Sequence, residues 1–107
     1  MKRGDVWWIN FDPSVRGEIK KKRPAVIVSN DSANKFLNRI QVVPLTSNIA
    51  VLYPSEAYVK VKGKRSKAMA DQLTTVSKLR FINREGFVSM SDMAGIEQAI
   101  RTQLGLP

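Results

Sequence analysis

Apolar residues fall in short bursts along the chain, and the spacing within each burst predicts an element. Asp5 to Asn10 carries Val6, Trp7, Trp8 and Ile9 and reads as a first strand, closed by the turn-prone Asp12-Pro13. Pro24 to Ser29 is a continuous apolar run, the pattern of a strand buried on both faces. Asn30 and Asp31 can cap a short helix that runs to about Leu37. Ile40 to Leu45 predicts a third strand, with Pro44 ending or bulging it. Ala57 to Val61 alternates as a half-exposed strand, and a hairpin-like connection around Gly63 follows. Lys67 to Thr74 is read as a fifth strand, Val76 to Leu79 as a helical turn, and the region of Phe87 as a short strand. Ser89 with Asp92 marks the start of a helix whose Met93, Ile96, Ile100 and Leu104 share one face and whose stop is Gly105. Short strands with one good helix predict a mainly β fold, a small, strongly bent antiparallel barrel with a C-terminal helix against it.

Between the bursts lies charge. Eighteen Lys plus Arg against nine Asp plus Glu give a net charge of +9. The excess is not spread evenly: residues 16–23 and 60–67 hold ten of the basic side chains. Clustered positive charge points to a polyanionic partner. With 107 residues, no repeat and no linker, one small domain is expected. No apolar run is long enough to span a bilayer, and no signal peptide is evident. The absence of cysteine suits a cytoplasmic protein and excludes thiolate metal sites; the absence of histidine excludes a His-based ribonuclease mechanism, a Ser-His-Asp triad and His-ligated zinc. Any chemistry must come from Arg, Lys, carboxylates, hydroxyls or the backbone, and no cofactor or metal is expected.

Five short pieces, in order and spaced from end to end, resemble the MazF/PemK family of toxin ribonucleases from toxin–antitoxin pairs. They are RGDVWWINFDP (Arg3 to Pro13), RPAVIVSN (Arg23 to Asn30), VVPLTS (Val42 to Ser47), ADQL (Ala70 to Leu73) and the closing QLGL (Gln103 to Leu106). The resemblance implies an SH3-like, CcdB-like barrel assembled as a homodimer. It also implies metal-independent cleavage of single-stranded RNA at a short sequence, leaving 2′,3′-cyclic phosphate and 5′-hydroxyl ends, and an antitoxin with an acidic, disordered tail.

Such cleavage needs the 2′-hydroxyl deprotonated, the phosphorane stabilised and the 5′-oxygen protonated. Arg23 precedes Pro24, which sets the direction of the strand start, so its guanidinium can present a two-pronged fork to phosphate. An ordinary strand-end arginine fits the residues equally well; the resemblance makes Arg23 the catalytic arginine. Thr46 and Ser47 follow a buried strand, where hydroxyls usually cap turns. The family's P-x-T-S pattern makes Thr46 a transition-state hydrogen bonder and Ser47 its support. Glu18, the one acid in the first basic loop, is either a weak surface ion pair or a functional group, a catalytic carboxylate near the phosphate or a contact to a base edge, and the resemblance favours function.

Lys20, Lys21 and Lys22 stand where many relatives have glutamine and glycine, and are expected to strengthen phosphate contacts, as are Lys64 and Arg65. Asp71 and Gln72 are expected on the fifth strand, with Gln72 reading a base edge. One branch of the family has an arginine where this chain has Met69, which removes an Arg–Asp acid/base pair and leaves Arg23 with Thr46 as the core. Trp7 and Trp8 must face opposite sides of their strand, one into the core and the other at a dimer interface or stacked on a base. Phe36, Phe81 and Phe87 are read as packing residues. Two other functions fit the same fold: a non-catalytic RNA-binding barrel, and a gyrase poison like CcdB, which the basic loops disfavour.

Overall fold

The computed structural model describes residues 1–107. Its elements are β1 (Asp5–Asn10), β2 (Lys22–Ile27), helix α1 (Asp31–Phe36), β3 (Arg39–Thr46), β4 (Glu56–Val61), β5 (Lys64–Met69), β6 (Thr74–Ser77), β7 (Phe81–Phe87) and helix α2 (Met90–Leu104). Single 3₁₀ turns occupy Ala70–Gln72 and Lys78–Arg80. All strand pairs are antiparallel, in the order β4-β5-β3-β2-β1-β7, with β6 also paired to β3.

The sheet curls until its end strands meet. A Cβ added at Gly86 of β7 would lie 3.2 Å from Val61 Cγ1 of β4, a tight contact that glycine avoids as the two strands approach. The ion pair of Lys62 with Glu85, at 3.6 Å, spans the same seam. The barrel expected from the strand pattern is therefore observed, closed by side chains where the backbone ladder stops.

Two apolar clusters hold it. Val6, Val26, Val43, Leu45, Val59 and Ala68 face the barrel interior, where Met93, Ile96 and Ala99 of α2 seal one end. Ile9, Ala25, Ile27, Ile40, Val42 and Val76 form a second cluster on the other face. Consecutive residues of β2 thus serve both clusters, which is why its sequence shows no polar alternation. Helix α2 starts as expected: Ser89 Oγ accepts from Asp92 N at 3.0 Å. The Asp92 carboxylate accepts from Lys60 N at 2.9 Å and so ties the helix to β4. At the far end Gly105 takes a left-handed φ of 67°, ending the helix.

Several expected elements are displaced. The strand expected over Lys67 to Thr74 is broken: β5 stops at Met69, Ala70–Gln72 turn as 3₁₀, and β6 resumes at Thr74. The cause lies in β3. Ile40 pairs with Val76 while Leu45 pairs with Ala68, so five residues along β3 correspond to eight along its partner. The excess bulges out opposite Pro44, which has no N–H to offer a ladder. Pro44 therefore bulges the partner, and β3 continues to Thr46.

The basic connection around Gly63 shrinks to Lys62 and Gly63, both at positive φ (53° and 76°), as a two-residue primed hairpin turn requires. The helical turn expected over Val76 to Leu79 lies at Lys78–Arg80, and the strand near Phe87 is the full-length β7. Phe81 packs as expected, but Phe36 and Phe87 are 76% and 66% exposed. Leu104, 54% exposed, overhangs the end of the apolar face of α2. No helix is long and apolar enough to cross a membrane.

Candidate active site

The open end of the barrel is a cavity of about 350 Å³, and strand alternation explains its apolar floor. Residues two apart share a face. The inward rows that begin in the core as Val6, Val26, Val59 and Ala68 therefore arrive at the mouth as Trp8, Pro24, Val61 and Ser66. Around that apolar floor stand Lys21, Lys22, Arg23, Thr46, Ser47, Lys64 and Glu85.

Arg23 is aimed by its neighbours. At the rim, opposite Ile9 in the β1–β2 ladder, its strand position falls on the face of Ala25 and Ile27, and its Nε donates to Lys20 O at 3.2 Å. No carboxylate lies within ion-pair distance of it, so the two Nη groups remain available as a fork. Thr46 ends β3, two strands away from β1 across β2. Its Oγ1 accepts from Asn48 N at 3.2 Å, the turn-capping role that hydroxyls at strand ends usually play. That bond uses an acceptor lone pair only, so the Thr46 O–H is still free to donate to a phosphate oxygen. The loop beyond Ser47 is fixed from beneath: Lys67 Nζ donates to Val51 O at 2.8 Å and pairs with Glu56 at 3.0 Å, with both side chains under a tenth exposed. Lys67, opposite Thr46 in the β3–β5 ladder, is therefore a structural cation and does not belong to the surface charge.

The other expected residues separate. Glu18, Asp71 and Gln72 line a different hollow, of about 300 Å³, so they do not share a cavity with Arg23 and Thr46. Glu18 is turned back on its own loop, accepting from Val15 N at 2.6 Å after Gly17 takes a φ of 87°. Gln72 sits on the 3₁₀ turn, not on a strand, and both ends of its amide are engaged: Oε1 accepts from Ile19 N and Nε2 donates to Gly17 O, each at 3.2 Å. Its observed work is to hold the basic loop against the barrel. Lys20 lines neither cavity, and its carbonyl orients Arg23. Arg65 points away from the mouth and lies over the Tyr58 ring at 4.2 Å.

Glu85 was not singled out by its sequence. It is the only acid lining the mouth. Its Oε2 accepts from Trp8 Nε1 at 2.6 Å, and that bond, with Lys62 and Lys64 adding positive charge, holds its carboxyl below the usual value against the opposing effect of desolvation. The signal that would have found it is the extent of β7, which sets Asn83 opposite Trp8 and brings Glu85 to the mouth.

A curled antiparallel barrel with one C-terminal helix is the architecture of the MazF toxins. MazF from Deinococcus radiodurans superposes with a TM-score of 0.88 over 99% of this chain and 97% of its own, at 23% identity. The chain belongs to the PemK-like, MazF-like toxin family of type II toxin–antitoxin systems, whose family model matches residues 2–104. The endoribonuclease MazF9 of Mycobacterium tuberculosis is 36% identical to it over 115 residues, covering 99% of this chain and 98% of that protein. An endoribonuclease solved in complex with its cognate antitoxin, from a mycobacterial species, has a TM-score of 0.84 and 25% identity over 100% of this chain and 97% of its own.

Proposed function

We propose that this toxin is an endoribonuclease that cuts single-stranded RNA at a short sequence without a metal, and so inhibits translation and growth. The reading rests most on one observation: an unpaired guanidinium, Arg23, shares a cationic barrel mouth with the Thr46 hydroxyl. Full-length similarity to named endoribonucleases supports the same activity. The substrate 2′-oxygen attacks phosphorus, the bond from phosphorus to the 5′-oxygen breaks, and the products carry a 2′,3′-cyclic phosphate and a 5′-hydroxyl. The 2′-hydroxyl gives up one proton and the departing 5′-oxygen gains one. Arg23 grips two non-bridging oxygens and Thr46 donates to the same phosphate, both interactions strengthening as charge builds in the phosphorane.

Lys21, Lys22, Lys64 and Ser47 hold the flanking backbone, while Glu18, Asp71 and Gln72 meet the strand from the neighbouring hollow. Lys20 and Arg65 add charge outside the mouth. The natural inhibitor is an antitoxin with an acidic segment that competes for this charge, the active form is a homodimer, and the site of action is the cytoplasm.

The test is incubation of the purified protein with a long single-stranded RNA in excess EDTA, beside Arg23→Ala and Thr46→Val. We expect cuts at one short sequence with cyclic phosphate ends, and losses of about a hundredfold or more in either variant, as for other removed transition-state donors. Undiminished cutting by Arg23→Ala would discard the site. An intact RNA that still shifts on a gel would convert the assignment to a non-catalytic RNA-binding barrel.

A further inference from the structure

We propose that the wall of the mouth built by β1 and β7 is a base-reading subsite, in which Glu85, oriented by Trp8, selects guanine beside the scissile phosphate; this rests on the RNA-cutting reading above. The two walls are built from different strands. Arg23 and Thr46 come from β2 and β3, whereas Trp8 and Glu85 come from β1 and β7. The first wall offers donors suited to phosphate. The second offers a flat indole and a group that, when ionised, only accepts hydrogen bonds.

A carboxylate is out of place in a phosphate grip, because it repels the anion it would have to touch. It suits a nucleobase edge. Among the four bases only guanine presents two adjacent donors, N1–H and the N2 amino group, on its Watson–Crick edge, and the two oxygens of one carboxylate can accept both. Adenine, cytosine and uracil each put at least one acceptor lone pair against it. Unstacked bases held on aromatic rings and read on their edges are the usual form of single-stranded RNA recognition.

The geometry leaves Glu85 free for this work. The Trp8 bond at 2.6 Å tethers the carboxylate at the mouth yet occupies one lone pair of one oxygen. The Lys62 ammonium stands 3.6 Å from the other oxygen, on a hairpin turn where it is 67% exposed, so it can swing aside at little cost. General base catalysis is the weaker role for Glu85, since a carboxylate held ionised takes up a proton poorly. In the neighbouring hollow the Gln72 amide and the Arg80 guanidinium are already bonded to backbone of the loops they brace.

The experiment separates base reading from cutting. A pool of random 2′-O-methyl heptanucleotides, which cannot be cleaved, is bound to the protein and the retained fraction sequenced for the parent, Glu85→Gln and Trp8→Phe. The parent should enrich guanine at one position, and an oligonucleotide with inosine there should bind about tenfold more weakly, as for other lost base-edge pairs. Glu85→Gln should lose that preference while still binding, and Trp8→Phe, which keeps an aromatic ring but removes the N–H, should weaken it. No guanine enrichment by the parent, or the same enrichment by Glu85→Gln, overturns the proposal. Should Glu85→Gln fail to fold, an unaltered preference in Trp8→Phe overturns it as well. Guanine enrichment by a protein that leaves unmodified RNA intact keeps the subsite and discards the nuclease.

Discussion

Trp7 and Trp8 differ by one position and face opposite sides of β1. Trp7 lies edge-on to Phe81, with ring centroids 5.8 Å apart, and its buried Nε1 has no partner. Trp8 reaches the barrel mouth and bonds Glu85. The alternation that separates them was legible in the sequence; which of the two met the site depended on which face the barrel encloses. The Glu85 bond has a pH signature. Its folded-state pKa is depressed from the ordinary 4.5, so it contributes stability above that value and loses it as the pH falls through the depressed one. Glu85→Gln should therefore show a lower urea midpoint than the parent at neutral pH, with the gap closing towards the acid end of the folded range. A gap of constant size down to acid pH would mean that packing, and not ionisation, carries the effect.

The basic loop before β2 is held by a residue far along the chain. Gln72, on the 3₁₀ turn that Pro44 forces out of the β3 partner, bonds Ile19 N and Gly17 O. Removing both bonds with Gln72→Ala should lower stability by about 1 kcal/mol, since these are partly exposed hydrogen bonds between neutral groups. It should also speed amide exchange at Ile19 above that of the β2 core. Unchanged exchange there would show that the loop is held by other contacts. The separate pieces of this device were visible as Pro44 and the ADQL stretch. Their connection was not, because a bulge arises from the offset between two strands and neither strand encodes it alone.

For the whole molecule the balance of +9 matters less than its placement. Lys21, Lys22, Arg23 and Lys64 ring the mouth, whereas Lys67 is buried beneath the loop after Ser47 and Arg65 lies over Tyr58. If the ring neutralises RNA phosphates, the logarithm of the affinity for a non-cleavable RNA should fall with the logarithm of salt by about 0.7 for each phosphate contacted. The double variant Lys22→Gln/Lys64→Gln should flatten that slope by about 1.4 in fluorescence anisotropy titrations. A weaker affinity with the slope intact would assign those lysines to something other than phosphate.

Local periodicity determined a good part of this protein. Period-two bursts and a capped, amphipathic last segment specify a β protein with a C-terminal helix. Arg23 before Pro24 marks the start of a doubly buried strand, and the P-x-T-S stretch marks the end of the next. The shortness of the bursts left β6 and β7 without clear bounds, since exposed strands such as FINREGF carry little apolar contrast. Tertiary structure alone decided which of these residues meet. Curling the sheet brings β7 against β4 and delivers Glu85 and Trp8 to the mouth with Arg23 and Thr46, while the bulge opposite Pro44 carries Asp71 and Gln72 to a second hollow with Glu18. The physical reason is that side-chain pattern reports which face of a strand is buried, but register and curl between strands distant in the chain set which strand ends become neighbours.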